Sequence, residues 1–329
     1  MKNILIISAL AGVLALSSCW RDDLYYATVD RATVRIEADW TPARLTPNGV
    51  SAFVFDRNGA AFDVVRSNDS RKADLSLPEG FYSVVVLNNT LDEYRNIESA
   101  GTDRLETFAL MGRAVSPNFT SLGGGTRAES FIGEPDTVAG SVVRNIEVTR
   151  KMIEYFRTKP HGMEPAPAAV YQTAPTRIIS VADIRVHVTH ITSAAGAPRS
   201  HLTAMCEGVN METASKYGNS VTHEFVLNNR CFDAKDPRNG TITRQLATFG
   251  LHDETGVRYL MEMEFVLLNG EKHPVSLDVT DAIRVTQGAT HKIIHIEVEI
   301  ELPEVIGNGD GAFDPDLEEW EDIDVDIPM

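Results

Sequence analysis

Basic side chains are scarce in this 329-residue chain: 30 Lys and Arg stand against 47 Asp and Glu, a formal net charge of -17. Nucleic-acid binding rests on cationic side chains that displace the counterions around phosphates, so no nucleic-acid partner is expected. Long apolar runs are missing as well. The most apolar stretch, residues 4–16, is shorter than the ~20 residues a helix needs to cross a bilayer. Only three cysteines occur, Cys19, Cys206 and Cys231, too few for the disulfide framework of a small secreted domain. Cys206 and Cys231 could close one bridge in an oxidising compartment or stay two separate thiols, and spacing leaves both open. There is no HExxH, no Gly-x-Ser-x-Gly elbow, no Walker loop and no Gly-x-Gly-x-x-Gly; Gly123-Gly124-Gly125 follows no clear strand and precedes no helix. Neither an enzyme nor a cofactor is expected. No 3.6-period stretch longer than about two turns recurs, which excludes helical and α/β folds.

What is present begins at the N-terminus. Lys2 supplies a positive start, residues 4–16 an apolar core, and Leu16-Ser17-Ser18-Cys19 the small residues and cysteine of a lipoprotein signal. Cleavage before Cys19 and its acylation, palmitate included, would hold the chain at a membrane, at ~0.8 kcal/mol per buried CH₂. Residues 1–18 are therefore expected as signal peptide and 19–31 as a lipidated linker. Trp20-Arg21-Asp22-Asp23 resembles the short acidic export signal that carries Bacteroidetes lipoproteins to the outer face of the outer membrane.

The mature chain has 311 residues, enough for two domains of ordinary size. Val34, Ile36 and Ala38 alternate with Arg35, Glu37 and Asp39 before Trp40, the pattern of a half-buried strand. Pro47-Asn48-Gly49 and Arg57-Asn58-Gly59 bracket a second strand over 50–56, with Phe53 and Phe55 on one face. A third runs over 81–87 behind Pro78-Glu79-Gly80. A weaker one covers 141–149, followed by a turn or short helix over 150–157. Four prolines fall between 159 and 175, where neither sheet nor helix continues easily, so the linker is placed there. Strands are then expected over 177–192, 202–207, 221–227, 241–249, 258–268 and 291–302, with one helical turn over 278–283. The reading is all-β, with sandwiches over 32–158 and 176–302 and an acidic tail over 303–329.

That tail carries ten acidic side chains and no Lys or Arg. Within it Ile323, Val325 and Ile327 alternate with Asp322, Asp324 and Asp326 behind Gly307, Gly309 and Gly311: a candidate strand on a glycine-rich tether. It pairs with its own domain or with a neighbour, and sequence leaves both open. His291 and His295 have same-face spacing on the last strand and 308–316 is rich in oxygen ligands, but neither has the ligand pattern of a metal site, so no metal is expected.

Residues 34–40, Pro47-Asn48-Gly49, Leu77-Pro78-Glu79-Gly80-Phe81-Tyr82 through Asn88-Asn89, 183–188, Phe249-Gly250, Asp278-Val279-Thr280 and Phe313-Asp314-Pro315 to the end together resemble fimbrillin-like lipoproteins of Bacteroidetes, most of all their fimbrial-anchor branch. The resemblance covers nearly all of the mature chain. It implies two tandem transthyretin-like β-sandwiches and a role as a fimbrial or pilus-like anchor, assembly subunit or adhesin working through other surface subunits. Such pili polymerise by β-augmentation, one subunit's strand completing the next one's sheet. A surface lipoprotein that captures host or bacterial glycans is the competing expectation; Trp20, Trp40 and Trp320 are the residues that could stack on sugars.

Overall fold

A computed structural model describes residues 30–117, 130–158, 166–252 and 256–305, whose regular structure is β-strand apart from one α-helix and short 3₁₀ turns. The chain begins with β1 (Ala32–Ala38), β2 (Val50–Asp56), β3 (Ala61–Ser67), β4 (Lys72–Leu77) and β5 (Gly80–Leu87). In β1 Ala32, Val34, Ile36 and Ala38 are buried while Arg35 and Glu37 turn outward, as the alternation requires. Arg35 meets Asp74 of β4 there through two hydrogen bonds of 2.6 and 2.8 Å. The predicted turn at Arg57-Asn58-Gly59 forms, with Gly59 at φ 75° and the Asp56 carboxylate accepting from the backbone of Asn58 and Ala60. Two short strands follow, β6 (Ile97–Ala100) and β7 (Ala109–Gly112), then β8 (Ser130–Ile132), β9 (Ala139–Val148), the helix α1 (Arg150–Arg157), β10 (Ala169–Thr173) and β11 (Thr176–Arg177). Thr149 caps α1, its hydroxyl accepting from the Met152 amide.

Two sheets of the first unit enclose one core. A three-stranded sheet runs β10-β1-β4, with β10 parallel to β1, and an antiparallel five-stranded sheet runs β11-β9-β5-β2-β3. Val34, Ile36, Leu75, Val54, Val84, Val86 and Ile146 fill the space between them, each contributing roughly 1.5–3 kcal/mol of burial. Phe53 and Phe55 share a face, as expected, and that face is the one turned away from the inter-sheet core that holds Val54. They stack near Phe108 with centroids 5.1 and 6.1 Å apart, so β2 is buried on both sides.

The second unit uses β12 (Ser180–Thr189), β13 (Arg199–Asn210), β14 (Lys216–Val226), β15 (Asn229–Phe232), β16 (Gly240–Thr248), β17 (Leu260–Val266), β18 (Lys272–Asp278), β19 (Arg284–Gln287) and β20 (Lys292–Glu301). One sheet runs β15-β16-β12-β20-β19 and the other β18-β17-β13-β14-β8. Ile184, Val186, Leu202, Ile242, Met261, Phe265, Ile294 and Ile296 form the core between them. As in the first unit, the opening strand lies parallel to a later one, β12 against β20 over Val181↔Ile293 to Thr189↔Glu301. The single turn expected over 278–283 is a 3₁₀ turn at Thr280–Ala282.

Neither unit is one continuous stretch. The first takes its described residues from 30–111, 137–178 and 209–215, the second from 112–136, 179–208 and 216–305. The span 159–175, read from sequence as a linker, contains β10, five residues that extend the three-stranded sheet. Its prolines stand outside the strand, at 160, 165, 167 and 175, so every amide from Ala169 to Thr173 remains able to donate. The tip of the β13–β14 hairpin belongs to the first unit: Met211 donates to the Phe108 carbonyl at 2.8 Å and Asn210 to the Glu106 carbonyl at 2.8 Å.

Candidate functional site

A strand at the end of a sheet has backbone donors and acceptors with no ladder partner, which makes it the natural docking point for another strand. Most edges described here are blunted. β11 has two residues and β8 three; β18 contains Pro274 beside Lys272 and His273, and β4 turns Lys72 and Asp74 outward. Edge strand β3 differs. It hydrogen-bonds in its sheet to β2 alone, is seven residues long, and exposes Phe62 and Val64 by 39 and 38 %. Ala61 at its start donates to the Asp103 carbonyl at 2.7 Å, the Val64 amide donates to the Asp63 carboxylate at 2.8 Å, and the Ser67 hydroxyl at its end bonds Asp69. Tyr82 packs edge-on against the Phe62 ring at 5.4 Å, and the Arg31 guanidinium lies 5.7 Å from its centroid. In the second unit the edge strands β15 and β19 expose Phe232 by 50 % and Val285 by 52 %.

A cleft of about 1080 Å³ opens beside the three-stranded sheet of the first unit. Its walls are the loop after β1 (residues 39–47), the turn before β4 (69–72) and the end of β10 (172–174). Three hydrogen bonds fasten these walls together: Trp40 Nε1 to the Ser70 carbonyl at 2.6 Å, the Ala38 amide to the Arg71 carbonyl at 2.8 Å, and the Asp39 amide to the Thr173 carbonyl at 2.9 Å. Hydrogen bonds from Thr41 hold the Asp39 carboxyl below its usual range. A smaller groove of about 610 Å³ in the second unit is lined by Arg185, His187, Cys231, Phe232 and Glu299. There His187 bridges Glu297 at 2.9 Å and Thr241 at 3.2 Å.

Several sequence expectations fall outside the described residues: Leu16, Ser17, Ser18 and Cys19, the pair Asp22 and Asp23, and the tail residues Ile323, Val325 and Ile327. Cys206 and Cys231 are described, and they do not bridge each other. Cys206 is buried on β13, its thiol donating to the Gly208 carbonyl at 3.1 Å, whereas Cys231 is exposed on β15 of the opposite sheet. His291 bonds Thr290 and His295 bonds Thr286, at 2.8 and 2.9 Å, so the two histidines are not brought together. Among the described residues no group of three ligating side chains could hold a metal ion. Trp40 is 6 % exposed and forms part of the core, which removes it as a sugar-stacking surface. Sequence gave no sign of the β3 edge: its residues carry neither strict alternation nor a recognisable motif. Nor did it mark Arg44, whose left-handed backbone (φ 49°) turns the cleft loop.

The architecture has solved counterparts. A Bacteroides ovatus protein described as a "putative adhesin" superposes with a TM-score of 0.54 at 17% sequence identity, covering 87% of this chain and 94% of that one. A second Bacteroides ovatus protein so described gives 0.47 at 12%, covering 88 and 92%. The fimbrial anchor protein Mfa2 from Porphyromonas gingivalis gives 0.48 at 12%, covering 82 and 90%. Comparison with curated proteins finds no match. The all-β, two-unit fold that the fimbrillin-like resemblance implied is the fold observed, and it is shared with the first of these proteins. Residues 18–225, well over half of the chain, match the family described as "Domain of unknown function (DUF5119)", and the chain belongs to that family.

Proposed function

We propose that this chain is a cell-surface adhesin or fimbrial subunit that acts through protein contacts. In this reading Cys19 carries the lipid anchor in the outer membrane, Leu16, Ser17 and Ser18 complete the processing signal, and Asp22 and Asp23 direct the chain to the exterior. The observation that carries the proposal is the apolar edge of β3, where Phe62 and Val64 lie exposed on a strand that has a ladder partner on one side only. An incoming strand would gain main-chain hydrogen bonds along β3, displacing the Asp63 carboxylate from the Val64 amide, and bury those two side chains. Ile323, Val325 and Ile327 of a neighbouring copy or related subunit have the matching two-residue repeat, and Arg66 on β3 carries charge opposite to the aspartates between them. The fold held in common with a protein described as an adhesin supports the same class of role.

The test is to express the chain with and without residues 318–329 and to size the surface-sheared material. Assembly proteins predict a ladder of higher-order species that the deletion abolishes while the monomer keeps its melting temperature. A deletion that lowers the melting temperature and leaves the ladder intact would contradict the proposal. Cys19→Ala should release the protein from the membrane fraction, and the intact mass of that fraction should show an acylated Cys19.

A further inference from the structure

We infer that the cleft of the first unit binds an acidic saccharide, a ligand the assembly role neither requires nor supplies. Two guanidinium groups define its chemistry. Arg44 and Arg71 both line the cleft and are exposed, and among the described residues their side chains enter no hydrogen bond or ion pair.

The carboxylates around them face groups other than these two guanidiniums. Asp39 accepts from Thr41. Asp69 accepts the Arg71 amide at 2.9 Å and faces the Lys72 ammonium at 3.7 Å. Glu37 stands opposite Lys72 in the β1–β4 ladder. Three carboxylates and three cations line the cleft, so its formal charge balances, and its two guanidinium groups are the lining cations without an ion-paired carboxylate, on a chain whose net charge is -17.

Shape and preorganisation point the same way. The walls are joined by the backbone-directed bonds of Trp40, Ala38 and Asp39, so ligand binding would not have to order them. The volume, about 1080 Å³, is at the upper end of the ~300–1,000 Å³ usual for small-ligand sites, room for an oligosaccharide segment. The lining also includes the hydroxyl-bearing Thr41, Thr46 and Ser70 and the amide-bearing Gln172. These groups both donate and accept, as sugar hydroxyls do. Guanidinium groups match carboxylate and sulfate oxygens in paired geometry. A polyhydroxy chain bearing oxyanions satisfies both sets at once.

The experiment uses the full mature chain and calorimetry against four probes: an oligogalacturonate, a chondroitin sulfate oligosaccharide, a neutral dextran oligosaccharide and an oligoglutamate peptide. Binding of either acidic saccharide is expected, weakening with salt, and the arm that binds names the anion as carboxylate or sulfate. Arg44→Gly and Arg71→Gln should each lower affinity about five- to tenfold, and the double variant about 30-fold or more, given the ordinary worth of exposed charged hydrogen bonds. Arg44→Gly also relieves a left-handed backbone, so its melting temperature should hold or rise, which separates lost binding from lost folding. Arg185→Gln, in the other unit, should bind as wild type. No acidic saccharide bound, dextran bound equally well, oligoglutamate bound more tightly, or a double variant of undiminished affinity would each overturn the inference. Deleting 318–329 should leave this binding unchanged, so failure here and failure of the assembly role are distinguishable.

Discussion

Single residues in the second unit hold conformations and charge states that the chain sustains at measurable cost. Ala204 sits inside β13 at φ 60°, buried, where the strand's pairing moves from β17 to the Gly250-Leu251 segment. A left-handed alanine costs roughly 1–2 kcal/mol that glycine does not incur. Ala204→Gly should therefore raise stability by up to about 1 kcal/mol, read as a higher denaturant midpoint. His223 is fully buried among the core residues of β14, its Nε2 3.2 Å from the Thr248 hydroxyl, and burial pushes its pKa down to about 3. An unfolded histidine titrates near 6.5, so the unfolded chain takes up a proton that the folded one refuses. This site's stability is intact above pH 6.5 and is lost progressively as pH falls toward 3, at about 1.4 kcal/mol per pH unit. His223→Gln should flatten that acid limb in a pH series of thermal melts. At the surface, Asp278 is held down to about 2, chiefly by hydrogen bonds from the Thr280 hydroxyl and amide and then by Arg258. That is the physical content of the Asp278-Val279-Thr280 motif: the carboxylate fastens the turn that leads toward β19.

Elements were legible in the sequence where one face is wet or where turn signals bracket the strand. β1 alternates because Arg35 and Glu37 meet solvent, and its register follows directly. β2 reads as a near-continuous apolar run because Val54 faces one core and Phe53 and Phe55 pack on Phe108 behind it. Edge strand β3 gave no signal for the opposite reason: most of its side chains are exposed, so composition is unconstrained. β10 was hidden by the prolines around it, which argue against pairing only where they themselves sit. The buried pair His201 and Glu262, directly opposed on β13 and β17, was equally invisible, since alternation would have assigned both to water.

Across the whole molecule the all-β class followed from turn spacing and the expectation of two domains from chain length, but which residues make each unit did not follow from either. Non-local pairing such as β1 with β10 leaves no trace in either segment. The consequence is testable by fragment. Residues 32–158 lack β10 and β11, so β1 would lose a whole neighbouring strand and the core residues beneath it would be uncovered. That fragment should fail to melt cooperatively, whereas extension to residue 178 should improve cooperativity by restoring both strands. Equal melting of the two fragments would contradict the topology. The candidate cleft has the same origin: 39–47, 69–72 and 172–174 are far apart in sequence and converge only because β1 lies between β4 and β10.

The central claim is that a strand from another chain docks on β3. Its most direct measurement is crosslinking mass spectrometry on intact cells co-expressing two isotopically distinguishable copies, comparing wild type with Val64→Lys. The account predicts intermolecular crosslinks between residues 318–329 and the neighbourhood of β3 that Val64→Lys strongly diminishes. Crosslinks from the tail only to its own chain, unchanged by Val64→Lys, would contradict it.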